Sequence, residues 1–247
     1  MIRLVASDVD GTLLMAGQDA IPGRVLDAVA QLWEKNIWFA AASGRPCYDL
    51  ERLFAPVKDQ MALIGLDGAL TVYRGRVLDE SPLDPAAVRQ WAGDCLAKGC
   101  GGLVFHGKDA SYRMGTVHGA ARYRQAVRLA DIPEPIYKLS LCWPAEDTVP
   151  DPRFFSVCYR ENDWLEVVAP GVDKGKAMRA LQRRLAVTRA ETLALGDNDN
   201  DLALLREAET AVAMASGKPA VREYCGYVTA DAALLLCRLA DAATEMF

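Results

Sequence analysis

The stretch Leu4-Val5-Ala6-Ser7-Asp8-Val9-Asp10-Gly11-Thr12-Leu13-Leu14 opens as an apolar run and stops in two carboxylates. A run without a polar side needs burial on both faces, the situation of a central strand in a parallel sheet. The carboxylates then fall at the strand's carboxyl end, where open α/β sheets place their ligands. Residues two apart in extended chain point the same way, so Asp8 and Asp10 are expected to face one spot, with Val9 turned away. Gly11 permits a sharp exit. Two such carboxylates need a cation or a proton between them, and a hard, oxygen-liganded ion such as Mg²⁺ suits them. Taken alone, the stretch also reads as a strand end with two solvated turn aspartates.

The pattern recurs along the chain. Val25, Ala28, Val29 and Leu32 repeat at helical spacing within residues 24–35. Residues 37–42 read as a second buried strand ending in Ser43-Gly44-Arg45-Pro46, followed by a helix over 47–54. A third strand over 61–65 ends in Leu66-Asp67-Gly68-Ala69. Strand and helix in alternation predict a parallel sheet. Between residues 77 and 85 the rhythm breaks at Ser81-Pro82 and Asp84-Pro85. Helices are then predicted over 86–98 and 117–130, and strands over 102–106, 111–114, 137–143, 154–159 and 164–168. Strands joined by short turns suggest an α+β module with an antiparallel sheet.

The first rhythm returns at Asp173, placed to cap a helix running to about residue 185. A buried strand over 192–196 ends in Asp197-Asn198-Asp199-Asn200-Asp201, and further helices and strands complete the chain. The expected fold is α/β: a doubly wound, Rossmann-like parallel sheet core from residues 1–79 and 170–247, with an inserted α+β cap domain over 80–169.

Composition narrows the function. The chain of 247 residues carries a formal charge of −5 and no basic stripe, which argues against a nucleic-acid partner. It has no apolar run near the roughly 18 to 20 residues of a membrane helix, and its first residues do not read as a signal peptide. Seven scattered cysteines without a Cys-x-x-Cys pair suggest reduced thiols and a cytoplasmic setting. Only His106 and His118 could join them, so zinc is disfavoured.

The sheet is expected to gather Asp8, Asp10, Ser43, Lys174, Asp197 and Asp201 at one edge. With no Gly-x-Ser-x-Gly and both histidines in the insert, a serine hydrolase fits poorly. Mg²⁺-assisted phosphoryl transfer through an aspartyl-phosphate fits well. The chain resembles the haloacid dehalogenase superfamily of phosphatases, and within it the Cof-type group with a large α/β cap. Four motifs carry the resemblance in order: Asp8-Val9-Asp10-Gly11-Thr12-Leu13-Leu14, Ser43-Gly44-Arg45-Pro46, Lys174-Gly175 and Gly196-Asp197-Asn198-Asp199-Asn200-Asp201.

The resemblance implies a role for each position. Asp8 would be the nucleophile, and Asp10 would give a proton to the departing alcohol and then activate water. Asp8, Asp197 and the backbone carbonyl of Asp10 would hold Mg²⁺. Lys174 would offset the charge, and Ser43 would donate to a phosphoryl oxygen with help from the Gly44 amide. Asp201 would orient a metal-bound water or Lys174. Asn200 would contact the phosphate or the metal's surroundings, or cap a helix. Arg45 would reach the substrate or cover the second strand's end. Lys176 competes with Lys174, which is favoured because it directly precedes the glycine. Arg113, His118 and Arg122 in the cap would meet an anionic or hydroxylated leaving group, or form a solvated basic face. Asp67-Gly68-Ala69 departs from the group's Asn-Gly-Ala. The expected activity is a Mg²⁺-dependent phosphatase acting on a small phosphorylated metabolite, sugar phosphates among them. A phosphomutase and a catalytically silent metabolite binder are the alternatives.

Overall fold

The computed structural model describes residues 1–117, 122–126, 128–144, 148–161 and 163–242. In chain order its elements are β1 (Leu4–Asp8), α1 (Gly23–Glu34), β2 (Trp38–Ala42), α2 (Cys47–Leu53), β3 (Met61–Gly65), β4 (Leu70–Tyr73) and β5 (Arg76–Glu80). Next come α3 (Pro85–Ala97), β6 (Gly102–His106), β7 (Ser111–Gly115), β8 (Arg124–Gln125), β9 (Lys138–Cys142), β10 (Ser156–Glu161) and β11 (Trp164–Val168). The chain ends with α4 (Lys174–Leu185), β12 (Thr192–Gly196), α5 (Leu202–Arg206), β13 (Thr210–Met214), α6 (Pro219–Tyr224), β14 (Tyr227–Thr229) and α7 (Ala232–Ala242). Two compact units result: residues 1–79 with the chain from Asp173 onward, and Glu80–Val172.

The first unit holds an eight-stranded sheet in the order β14-β13-β12-β1-β2-β3-β4-β5. Every residue of β1, β3 and β12 is buried, as their unbroken apolar runs require. Helix α1 buries Val25, Ala28, Val29 and Leu32, the four positions that repeat at helical spacing. Ala177, Met178 and Leu181 of α4 join a core with Ala6, Ala40, Ala42, Ala62, Ile64 and Ala194 from the strands. Alanines on the strands leave room for the helices to lie close to the sheet.

The parallel register builds the site's edge. Asp8 stands opposite Ala42, so Ser43 follows one residue beyond. Ser7 stands opposite Leu195, so Asp197 lies two residues further along its own chain. The parallel core carries an antiparallel edge. β4 runs antiparallel to β3, and β5 is the next strand outward. The connection between β4 and β5 turns at Arg74 and Gly75, both at positive φ. β3 and β4 are likewise joined only by residues 66–69, which leave no room for a crossover helix, so the sheet reverses direction there.

The second unit is a six-stranded sheet in the order β10-β11-β9-β6-β7-β8. Its pairs are antiparallel except β7 with β8. Ala87, Val88, Trp91, Ala92 and Cys95 of α3 pack against Leu103, Phe105, Leu139, Leu141, Leu165 and Val167. The helix expected over residues 117–130 does not form among its described residues. Arg124 and Gln125 are extended beside Tyr112 and Arg113, and Leu129–Asp131 is a single 3-10 turn. The outer edge of β7 offers unpaired backbone groups, and an extended segment satisfies them where a weakly amphipathic helix would not. Among the described residues no helix is long and apolar enough to cross a membrane.

Gly175 lies where α4 meets α5, and a Cβ there would overlap the carbonyl oxygen of Ala203. Gly175→Ala is expected to lower the unfolding free energy by about 1–3 kcal/mol, as overpacking does. Urea denaturation measures it, and a loss under about 0.5 kcal/mol would show that the two helices separate freely.

Candidate active site

Asp173 sets the register of α4. Its carboxylate accepts the Lys176 amide at 2.6 Å, which makes Lys174 the first helical residue. Lys174 is 1% exposed. Its Nζ donates to Asp8 Oδ1 and to Asp201 Oδ1, each at 2.7 Å. Lys176 is only partly buried, and of the two lysines Lys174 is the one bonded to Asp8 and Asp201. Burial works against the Lys174 charge, but Asp201, Asp8 and Asp67 outweigh it and hold the ammonium well above its usual pKa.

Asp201 is wholly buried and fully engaged. Its second oxygen accepts the backbone amides of Asp197 and Asn198, each at 3.0 Å. Asp8 is different: Oδ1 takes the lysine, while Oδ2 is buried without a donor. Burial pushes the Asp8 carboxyl well up, Lys174 pulls it back, and Asp201 and Asp197 push it up again. Asp197 is raised as well, by burial and then by Asp201, while the Thr12 hydroxyl donates to its Oδ1 at 3.2 Å. Thr12 was not singled out as a site residue from sequence; its place beside Gly11 in the first motif is the signal that was there. Gly11 has φ +92°, and a Cβ there would overlap Asp197 Oδ2, so the turn after β1 can approach this carboxylate only as glycine.

Asp10 has other partners. β1 ends at Asp8, and the amides of Leu13 and Leu14 turn back onto the Val9 carbonyl, so strand alternation does not extend to Asp10. Arg45 grips Asp10 in a fork, Nε to Oδ2 at 2.8 Å and Nη2 to Oδ1 at 2.6 Å. Ser43 Oγ donates to Oδ2 at 3.4 Å and itself accepts the Arg45 amide at 3.1 Å. Gly44 lies between these two residues on the loop. Asn200 donates to the carboxylate of buried Asp67 at 3.2 Å, so it serves that side chain and does not cap a helix; Asn198 fills that place at the turn Asp199–Asp201. Arg113 and Arg122 belong to the other unit. There Arg113 Nη1 donates to the Gly115 carbonyl at 3.3 Å, and Arg122 is exposed. His118 lies outside the described residues.

Carboxylate oxygens of Asp8, Asp197 and Asp201 lie within 4.8 Å of one another. Asp201 already takes three donors, so the oxygens freest for a cation are those of Asp8 and Asp197. The donors are all hard oxygens, as Mg²⁺ prefers. The unpartnered, buried Asp8 Oδ2 fits such an ion.

A model of the haloacid dehalogenase-like hydrolases matches residues 5–131 and 147–233, most of the chain and all four motifs. The chain belongs to the haloacid dehalogenase-like hydrolase family. This hydrolase is 23% identical over 238 residues to the 5-amino-6-(5-phospho-D-ribitylamino)uracil phosphatase YbjI of Escherichia coli (strain K12), covering 89% of this chain and 88% of that one. It is 26% identical over 241 residues to the HMP-PP phosphatase of Shigella boydii serotype 4 (strain Sb227), covering 90% and 91%. Among solved structures, the fold matches BT1666 from Bacteroides thetaiotaomicron, a phosphatase of the same superfamily. That match has a TM-score of 0.81 at 21% identity and covers 99% of this chain and 95% of that one. The family is one of hydrolases, and the two curated relatives are phosphatases.

The raised carboxyls couple stability to pH. Asp8 and Asp197 bind protons more tightly in the folded chain than at their usual 3.8. The metal-free protein therefore loses stability as pH climbs from that value through the raised ones. A divalent cation takes the protons' place, so the rise in Tm on adding Mg²⁺ to chelator-treated protein is expected to grow from about pH 5 to about pH 8. A rise that does not change with pH would separate these carboxylates from any metal.

Proposed function

We propose that this hydrolase is a Mg²⁺-dependent phosphatase that cleaves small phosphate monoesters, sugar phosphates among them, through an aspartyl-phosphate on Asp8. The observation that carries the reading is the buried Lys174 ammonium fixed between Asp8 and Asp201, beside an Asp8 oxygen without a donor. A carboxylate and a phosphate dianion repel each other, so attack needs positive charge already in place.

Asp8, Asp197 and the Asp10 carbonyl would hold Mg²⁺, which would offset the charge on the phosphoryl oxygens. Lys174 pins Asp8 Oδ1 in one orientation and adds its own charge. Asp8 attacks phosphorus, the ester P–O bond breaks, and the departing alkoxide takes a proton from Asp10. Ser43 Oγ and the Gly44 amide offer hydrogen bonds to phosphoryl oxygens. Asp10, now a carboxylate, takes a proton from the water that hydrolyses the aspartyl-phosphate. Asp201 keeps Lys174 and the start of the 197–201 loop in register. The relatives' names, a phosphorylated ribityl compound and HMP-PP, support a small phosphorylated metabolite as substrate.

Purified protein with Mg²⁺ is expected to release inorganic phosphate from members of a phosphorylated-metabolite panel. Asp8→Asn should lower the rate by roughly 10³-fold or more. Phosphate returned to the sugar instead of released would favour a phosphomutase. Equal rates for wild type and Asp8→Asn would reject the aspartyl-phosphate.

A further inference from the structure

We infer that Arg45 is a positioning residue that fits Asp10 for the hydrolytic half of the reaction. The inference rests on the aspartyl-phosphate reading above. Arg45 springs from a fixed backbone. Ser43 donates its amide to Ile64 at 2.9 Å, Leu66 donates to the Arg45 carbonyl at 2.9 Å, and Asp67 donates to the Ser43 carbonyl at 3.1 Å. The loop is thus held from the end of β3 without help from the Arg45 side chain. The ion pair is part-exposed, 31% for the Arg45 side chain and 49% for Asp10. Pairs so open to water contribute little to stability. What the fork does contribute is orientation.

A carboxylate has about four acceptor sites, two on each oxygen. Arg45 Nε takes one on Oδ2 and Nη2 takes one on Oδ1, while Ser43 Oγ lies 3.4 Å from Oδ2. A site on Oδ1 remains. The planar guanidinium matches a carboxylate in two parallel bonds and so fixes the plane of the group as well as its place. The fork therefore aims the remaining Oδ1 position in one direction, and the second step needs such a fixed acceptor. In that step the water oxygen bonds to phosphorus, and the P–O bond to Asp8 breaks with its electron pair returning to the Asp8 carboxylate. One water proton passes to Asp10 Oδ1, and the other stays on the phosphate product. The first step asks Asp10 for a proton only when the leaving group cannot depart as an anion. With a substrate whose leaving group departs as an anion, loss of Arg45 therefore burdens the second step selectively.

Rapid mixing with p-nitrophenyl phosphate separates the steps, because p-nitrophenolate leaves without needing a proton. The burst of p-nitrophenolate reports formation of the aspartyl-phosphate, and the steady state reports its hydrolysis. For Arg45→Ala the burst rate is expected within about threefold of wild type, while the steady-state rate falls about tenfold or more. Arg45→Lys, which keeps the charge and loses the fork, should recover part of the steady-state loss, and Tm should be unchanged in both variants. Burst and steady state falling together, or a steady-state change under about twofold, would overturn the inference. Loss of the burst in Asp8→Asn, with wild type retaining it, keeps the aspartyl-phosphate standing whatever Arg45 does; an undiminished burst in Asp8→Asn would bring down that reading itself.

Discussion

A buried ammonium organises this molecule. Lys174 is among the largest side chains wholly removed from solvent. Taking such a charge out of water costs on the order of several kcal/mol, and only close carboxylates offset it. Those carboxylates come from distant parts of the chain: Asp8 lies 166 residues before Lys174, and Asp201 lies 27 after it. The ion pairs can form only once β1, α4 and the loop after β12 have met. Folding of the first unit and assembly of the site are therefore one event.

The rest of the site follows from parallel register and tight backbone approach. β2 and β12 flank β1 and run the same way, so their exits open on one edge. Gly11 lets the turn after β1 come against Asp197, and Gly175 lets α4 come against α5. Asp201 then divides its two oxygens between Lys174 and the amides of its own loop, which couples loop shape to lysine position. Removing either partner of such a buried pair leaves a charge without compensation, so the arrangement tolerates little change.

The two aspartates of the first motif have different surroundings, which is what the proposed division of work between them requires. Asp8 is buried against a lysine, with one oxygen left open. Asp10 is part-exposed and held by Arg45 and Ser43. A nucleophile needs a fixed position near positive charge, whereas a proton carrier needs access to solvent and a defined acceptor direction. Two residues apart in sequence, the pair reaches both environments because β1 stops between them.

Much was legible in the residues alone. Apolar runs ending in Asp8, Ser43 and Asp197, and the helix opened by Asp173-Lys174-Gly175, marked the parallel core and its reactive edge, because burial on both faces and helix capping are local rules written in residue type. The eight-stranded sheet took its reversed edge, β4 and β5, from a turn too short to signal itself strongly. The expected helix over 117–130 gave way, in its described residues, to an edge strand, since open backbone groups on a neighbouring strand are invisible from within one segment. Partners were likewise beyond reach: that Arg45 holds Asp10, that Asn200 serves Asp67 and that Thr12 serves Asp197 depend on which side chains meet across tens to hundreds of residues. The sequence by itself determined which chemical groups stand at the strand ends; only tertiary structure decided who holds whom, because hydrogen bonds between remote side chains are set by register and packing and not by spacing along the chain.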